Sequence, residues 1–209
     1  MAEPAYTRLA PDERQRQIIE AGAALFAEHS FEEISMREVA EAAGVSKGLL
    51  YHYFPNKIEL FKAAIQDAAV ELSRAVEPSG EGPPLVQLTA SLDAYLAWVD
   101  EHARTWVKLV ESTTTLPEAR EFVLEFRTRI LDRVLSEIAG TTTPAPALRI
   151  ALVGWLAYMD AAVLDWIEQR DIERGQLRDM LLGAFAAALG TATQVDPSLH
   201  LALVQEPAR

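Results

Sequence analysis

The segment from Ser35 to Lys57 is rich in side chains that can contact nucleic acid. The candidates are one arginine, two lysines, a serine, a glycine, a histidine and two tyrosines: Arg37, Ser46, Lys47, Gly48, Tyr51, His52, Tyr53 and Lys57. Arginine and lysine bind phosphate oxygens and guanine edges, and hydroxyl groups bind phosphates. These residues can act together only if the local fold places them on one surface.

Groupings of residues that are typical of catalysis or metal binding are missing from the sequence. There is no cysteine, and the histidines His29, His52, His102 and His200 stand apart, without the spacing of a metal-binding pair. No glycine-rich loop of the kind that holds phosphates is present. We therefore expect no catalytic residue, no metal site and no cofactor, and predict that the protein is not an enzyme.

Two short helices joined by a tight turn are predicted to position the segment. Ser35 and Glu38 have the spacing of a capping box at the start of the first of these helices. Gly44 is placed to end that helix in a left-handed conformation, and Ser46 to cap the next one. A helix-turn-helix, here residues 35–54, places its second helix in the major groove while the first crosses the DNA backbone.

The rest of the chain is also predicted to be helical. Apolar residues recur at helical spacing, and no run alternates for long enough to indicate a strand, so the fold class is all-α. A helix from about Pro11 to His29 and another from about Asn56 to Val76 complete a first domain at residues 11–72. After the glycine- and proline-rich stretch 78–84, a second domain at 85–195 is predicted to hold helices near 85–103, 105–114, 118–139, 147–170 and 174–193.

The same segment carries a resemblance to tetracycline-repressor-like (TetR) transcriptional regulators. The matching residues run from Ser35 to Lys57 and read SMREVAEAAGVSKGLLYHYFPNK. The likeness covers residues 11–72 at the level of motifs, and the remainder only by length, helicity and order of elements. It implies a three-helix DNA-binding domain followed by a variable helical domain that binds an effector and forms a dimer.

The resemblance also implies roles for single residues at the start of the two short helices. Arg37 would contact guanine O6 and N7 or a phosphate. Lys47 would reach base edges from the amino end of the recognition helix, or else be a solvated lysine. Gly48 would allow a close approach of the backbone to DNA, or else be a mere weak point of the helix. Ser46 would contact a phosphate or serve only as the cap.

The end of the recognition helix and the start of the fourth helix are implied to bind the DNA backbone. Tyr51 and Tyr53 resemble phosphate clamps, and the alternative is that one of them packs in the core. His52 would point towards the groove or the backbone. Lys57 would add its charge to a helix amino end that already favours a phosphate.

The charge of the chain is the main argument against nucleic acid as a partner. The formal net charge is −12, and residues 1–57 contain six basic against nine acidic side chains. Any DNA-binding face must therefore be a local patch. The alternative that this charge supports is a small-molecule-binding or protein-interaction module without DNA binding.

The last two predicted helices are the candidates for a dimer interface. Helix 147–170 is apolar on two sides, which predicts burial on two sides. The final helix carries small residues that permit close packing, as in a bundle of two helices from each subunit. An ordinary monomeric core is the alternative. Asp160 and Asp165 lie within the apolar run, so a membrane span is disfavoured and a buried helix is expected.

Effector contacts can be assigned only as candidates. Aromatic residues and one acid of the second domain form this set: Trp98, Phe122, Phe126, Trp155, Tyr158 and Asp160. Aromatic residues at helical spacing also occur in ordinary cores. Asp160 could hold a ligand donor or a cation, but a partner arginine or a cap in the dimer interface is the favoured expectation.

The function expected from the sequence is that of a transcriptional regulator. We predict an effector-released repressor that binds a palindromic operator in double-stranded DNA as a homodimer. The effector is expected to be an apolar or aromatic small molecule, and its identity, the operator and the regulated genes do not follow from the sequence. The absence of cysteine and of a signal peptide predicts a cytoplasmic protein without a membrane partner.

Overall fold

All regular secondary structure in the described residues is α-helical. The structure is a computed structural model, and it describes residues 11–77, 83–141 and 143–201. Its helices are α1 Pro11–Glu28, α2 Met36–Ala42, α3 Lys47–Tyr53, α4 Lys57–Ala75, α5 Pro84–Glu101, α6 Ala103–Thr115, α7 Pro117–Ala139, α8 Pro146–Gln169 and α9 Arg174–Val195. The predicted all-α class is confirmed, and each predicted helix is present within a few residues of its predicted limits.

Two compact units make up the fold, and they are not consecutive stretches of chain. One unit combines the residues up to Val70 with Arg104–Arg120, and the other combines Glu71–Ala103 with the residues from Glu121 onward. Helix α6 from Arg104 onward therefore groups with the helix-turn-helix segment, although it lies within the predicted second domain. The sequence-based limits, 11–72 and 85–195, stay a prediction.

The first unit is built around fully buried aliphatic residues on four helices. Ile18 of α1, Val39 of α2, Leu50 of α3 and Leu60 of α4 are completely buried. Helices of seven residues are not stable alone. Burial of these apolar side chains supplies the main favourable free energy that packs the short helices into the unit. Gly22 allows the close contact of α1 with α4, since a Cβ there would lie 3.1 Å from the Leu60 side chain.

The second unit is centred on the pairing of α8 with α9. The indole N–H of Trp155 on α8 donates to the carbonyl of Leu181 on α9 at 3.0 Å, and its ring meets that of Phe185 edge-on at 4.8 Å. Helix α5 joins this pair through Arg178, whose Nη1 lies 3.0 Å from Asp93 Oδ2. These contacts fix one face of α8 in the core.

The opposite face of α8 is exposed in the single chain. Ile150, Val153 and Tyr158 are large apolar residues that remain open to solvent, and Tyr158 is 40% exposed. The prediction that α8 is buried on two sides is therefore met on one side only within one subunit. By length and composition, α8 is also the helix of the described residues that could cross a membrane.

Candidate nucleic-acid interface

Helix α2 begins with the capping box that the sequence predicted. The Oγ of Ser35 accepts a hydrogen bond from the Glu38 amide at 3.3 Å, and the Ser35 amide donates to Glu38 Oε2 at 2.8 Å. Hydrogen bonds from the Ser35 side chain and backbone hold the pKa of Glu38 below its ordinary value. The box satisfies amide groups that a helix start leaves without intrahelical partners.

The turn between α2 and α3 is fixed by one glycine and two polar side chains. Gly44 has φ +62°, a left-handed conformation that favours glycine. The Ser46 Oγ accepts from the Leu49 amide at 3.2 Å and so caps α3. From α1, Gln17 Nε2 donates to the carbonyl of Ala43 at 2.9 Å, which ties the end of α2 to the first helix. The predicted helix-turn-helix is confirmed.

The amino end of α3 and the start of α2 present an exposed polar surface. Arg37, Ser46, Lys47 and Gly48 are all exposed. The Arg37 Nε lies 3.7 Å from Glu41 Oε1, and the two side chains are 74% and 70% exposed. An ion pair so open to water contributes little, so the guanidinium can exchange this partner for another acceptor at small cost.

Packing among the described residues does not require a glycine at position 48. A Cβ built at Gly48 would meet no atom of another described part of the chain within 4 Å. Lys47 lies beside it, with its ammonium 5.9 Å from the centre of the Tyr51 ring. The surface around residues 47 and 48 is therefore free for another molecule to approach closely.

The aromatic end of α3 divides into exposed and half-buried residues. Tyr51 is 43% exposed and His52 is exposed, whereas Tyr53 is half-buried and meets the His52 ring edge-on at 5.5 Å. Of the two predicted phosphate clamps, Tyr51 has the more accessible ring. Tyr53 fits the alternative of partial core packing.

Lys57 has a different environment from the one that the sequence predicted. Its ammonium donates to the backbone carbonyls of Phe31 at 2.5 Å, Ile34 at 2.8 Å and Glu32 at 3.4 Å. It also lies 4.3 Å from the centre of the Phe31 ring. An ammonium has three N–H donors, and here all three are used inside the protein. The phosphate contact of Lys57 stays a prediction, and it would require the ammonium to leave these carbonyls.

The candidate effector residues of the second unit have different surroundings. Trp155 packs between α8 and α9, Tyr158 lies on the outward face of α8, and Phe126 is half-buried on α7. Trp98 is buried on α5 and stacks on the His102 ring, with ring centres 4.4 Å apart. The side chain of Phe122 lies outside the described part of the structure.

Asp160 has the arginine partner that the sequence predicted without naming it. Arg127 of α7 forms an ion pair with Asp160 of α8, and the two side chains are 39% and 15% exposed. Burial raises the pKa of the Asp160 carboxyl, and the Arg127 charge opposes this rise. Burial, and then the Asp160 charge, raise the pKa of Tyr95 on α5. The sequence could not name Arg127, because α7 carries several arginines at similar spacing.

Metal binding finds no support in the described ranges, where no cluster of three histidine, aspartate or glutamate side chains could hold an ion. What the geometry does supply is an exposed short helix on a capped helix-turn-helix, in a chain that also folds a second helical unit. This arrangement defines a helix-turn-helix protein of the kind that binds double-stranded DNA through its second short helix.

Two family models match the chain. One, described as bacterial regulatory proteins of the tetR family, matches residues 18–64. The other, described as a tetracyclin repressor-like C-terminal domain, matches residues 84–188, about half of the chain. The chain belongs to the TetR family of bacterial transcriptional regulators. It is a DNA-binding regulator, and the alternative of a module without DNA binding is not favoured.

Known relatives agree with this assignment. The transcriptional regulator HbdR of Aromatoleum sp. (strain CIB) is 27% identical over 94% of this chain and 91% of that protein. The transcriptional repressor KstR of Rhodococcus jostii is 40% identical over 36% of this chain, and the chain spans only 34% of its length. The repressor AcnR of Corynebacterium diphtheriae is 29% identical over 59% of this chain and 62% of its own length.

A solved structure shows the same fold over nearly the whole chain. A tetR-family transcriptional regulator from Streptomyces coelicolor superposes with a TM-score of 0.80 at 29% identity, over 90% of this chain and 86% of that one. Regulators of this family are typically not enzymes, which agrees with the lack of a catalytic grouping in the sequence.

Proposed function

We propose that the protein is an effector-released repressor that binds a palindromic operator as a homodimer in the cytoplasm. The observation that carries the DNA-binding part is the exposed polar start of α3 on a rigidly capped frame. Lys47 reaches base edges, Arg37 contacts a guanine or a phosphate, and Tyr51 and His52 bind the backbone. Repression is suggested by the names of the relatives KstR and AcnR.

Binding to a selected operator duplex tests this assignment. Enrichment of duplexes from a random pool should yield a palindrome whose half-sites are about one helical turn, or a multiple of it, apart. Lys47→Met should reduce binding to the enriched duplex and flatten its salt dependence, because one phosphate-facing or groove-facing charge per subunit is lost. Enrichment of no sequence at low salt would contradict operator recognition.

The outward faces of α8 and α9 support the homodimer. On α8 this face carries Ile150, Val153, Ala157 and Tyr158, all exposed, and on α9 it carries small exposed residues such as Gly183. Small residues let two helices approach closely, and exposed large apolar residues gain from burial. Two copies of the pair would form a four-helix interface.

A charge placed on this face should divide the dimer. Ala157→Glu would bury carboxylates at the centre of the interface, whereas Ala90→Glu, at an exposed position of α5, adds the same charge elsewhere. Sedimentation at micromolar concentration should show a dimer for the unmodified protein and for Ala90→Glu, and a monomer for Ala157→Glu. Dimers of equal stability in all three would exclude this interface.

The effector is proposed to bind in the second unit beside Trp98 and the ion pair of Asp160 with Arg127. The indole N–H of the buried Trp98 has no hydrogen-bond partner among the residues that the structure describes. An apolar or aromatic molecule with an acceptor atom would satisfy this donor, since a buried polar group without a partner costs free energy.

Release of DNA is proposed to pass through α4. This helix of 19 residues begins just after the recognition helix and ends in the second unit, a length of roughly 30 Å. An effector that favours another dimer spacing by about 1 to 3 kcal/mol would change operator affinity roughly 5 to 150-fold. This coupling would be contradicted by a ligand that quenches tryptophan fluorescence and binds Trp98→Phe more weakly than the unmodified protein, yet leaves operator binding unchanged.

A further inference from the structure

We propose that Lys57 is a positioning residue of the DNA-binding unit and does not contact DNA phosphates. Its ammonium is held by the carbonyl oxygens of Phe31, Glu32 and Ile34, which we call the carbonyl cradle. The residue is the first of α4, and the cradle belongs to the connection between α1 and α2. Lys57 therefore joins two connections that are 23 to 26 residues apart in sequence.

An aromatic ring and a buried residue also contribute to the environment of the Lys57 ammonium. The Phe31 ring lies under the ammonium and belongs to an aromatic cluster with Phe26 and Phe61, at centroid distances of 6.1 and 5.3 Å. Ile34, which supplies one of the carbonyls, is buried. A cation held by three carbonyls and one aromatic face has its charge compensated inside the protein.

The cradle lies at a place where it can set the orientation of the recognition helix. Helix α3 ends at Tyr53, and only Phe54, Pro55 and Asn56 separate it from Lys57. The α1–α2 connection precedes the capping Ser35 directly. Fixing these two connections to each other fixes both outer ends of the helix-turn-helix, while Gln17 fixes the turn at its centre.

Contact with a phosphate would require Lys57 to leave the cradle. Three backbone carbonyls would then lose their charged donor, and the two partly buried ones, of Phe31 and Ile34, are unfavourable without a partner. A phosphate contact through Lys57 would thus remove the hydrogen bonds that hold α3 in its orientation. The inference uses only DNA binding through α3, so it does not depend on the proposed effector or on repression.

Substitution by arginine separates the two roles. An arginine binds phosphates at least as well as a lysine, so Lys57→Arg should preserve a phosphate contact. A planar guanidinium cannot replace a compact ammonium among three converging carbonyls, so Lys57→Arg should disturb the cradle as Lys57→Met does. Lys62→Met is the matched control, because Lys62 lies on the same helix and forms a surface ion pair with Glu59 at 3.3 Å.

The measurement is operator affinity as a function of salt between about 50 and 200 mM, with full-length protein and a duplex enriched from a random pool. We expect Lys57→Met and Lys57→Arg to bind the duplex about tenfold or more weakly, with the slope of log K against log salt unchanged. Affinity for a scrambled duplex should fall less, and the fraction of protein competent to bind should stay as in Lys62→Met. Lys47→Met serves as the reference whose slope decreases.

Hydrogen exchange adds a readout without DNA. The Glu33 amide donates to the Ser30 carbonyl at 3.1 Å in the cradle connection, and its exchange should become faster in Lys57→Met but not in Lys62→Met. Helical circular dichroism of both Lys57 variants should match that of Lys62→Met, and a loss of helix in both Lys57 variants would contradict a role confined to positioning α3. Wild-type operator affinity for Lys57→Arg, together with a slope for Lys57→Met reduced by about 0.9 per subunit, would overturn the proposal.

Discussion

The ion pair of Arg127 with Asp160 offers a sharp test of electrostatics in the second unit. Replacing Arg127 by methionine keeps most of the side-chain volume and removes the charge that opposes the desolvation of Asp160. The carboxyl side chain is only 15% exposed, so water cannot replace the arginine fully. Arg127→Met should therefore leave an uncompensated carboxylate at neutral pH.

The size of the effect follows from how deeply each partner is buried. Loss of one partner of a fully buried pair costs about 3 to 5 kcal/mol. Because the Arg127 side chain is 39% exposed, water already screens part of its charge, and we expect about 2 kcal/mol. Asp160→Asn removes the buried charge itself, so the double variant should be destabilised by about 1 to 2 kcal/mol less than the sum of the single ones.

The effect should depend on pH with a defined sign. Burial raises the pKa of Asp160 in the folded state. The contribution of this carboxyl to the free energy of unfolding is therefore fully present below its unfolded pKa and is lost as pH rises through its folded pKa. Without Arg127 the folded pKa rises further. In Arg127→Met a larger fraction of the Asp160 carboxyl is protonated at pH 5 than at pH 7.5. The loss in free energy of unfolding relative to the unmodified protein should therefore be smaller at pH 5.

The assay is urea unfolding followed by circular dichroism at one fixed protein concentration, because dimerisation adds to stability. Arg133→Met is the matched control on α7, since Arg133 is 38% exposed and pairs with Glu137, which is 44% exposed. It should change stability by no more than about 1 kcal/mol. An equal loss for both arginine variants, or a loss for Arg127→Met that is the same at both pH values, would refute the argument.

Four further substitutions have expected outcomes that separate packing, backbone and recognition effects. Phe185→Ala should lower the free energy of unfolding by about 3 to 5 kcal/mol, measured by urea, because its ring is buried between α8 and α9. Gly44→Ala should lose about 1 to 2 kcal/mol in the same assay, because its φ is +62°. Gly48→Ala should gain up to about 1 kcal/mol yet weaken operator binding in anisotropy titrations, since the new methyl group would meet DNA and no atom of another described part of the chain. Arg37→Ala should cost about 1 to 3 kcal/mol of operator binding and relax specificity at one base pair, and an equal loss on scrambled DNA would show a phosphate contact instead.

Local signals in the sequence were sufficient for the helix-turn-helix. The capping box of Ser35 with Glu38, the left-handed Gly44 and the cap at Ser46 each act within four residues, so their geometry depends on neighbours that the sequence places side by side. Helical periodicity likewise predicted the all-α class and each helix, because burial of one apolar face sets the period.

The identity of partners across the fold could not be predicted in this way. The sequence indicated that Asp160 needs an arginine, but only the packing of α7 on α8 selects Arg127. The sequence predicted burial of α8 on two sides, and only the packing of α9 shows which of its apolar residues are buried within one chain.

Lys57 shows the same division most clearly. The sequence determined that a lysine stands at the start of α4, where a local argument favours a phosphate. Its three carbonyl partners lie 23 to 26 residues away, in the α1–α2 connection. These acceptors belong to the backbone, so no pattern of side chains in the sequence marks them. Local order is encoded in adjacent residues, whereas the acceptor of a long flexible side chain is decided by which backbone segment the tertiary packing brings within its reach.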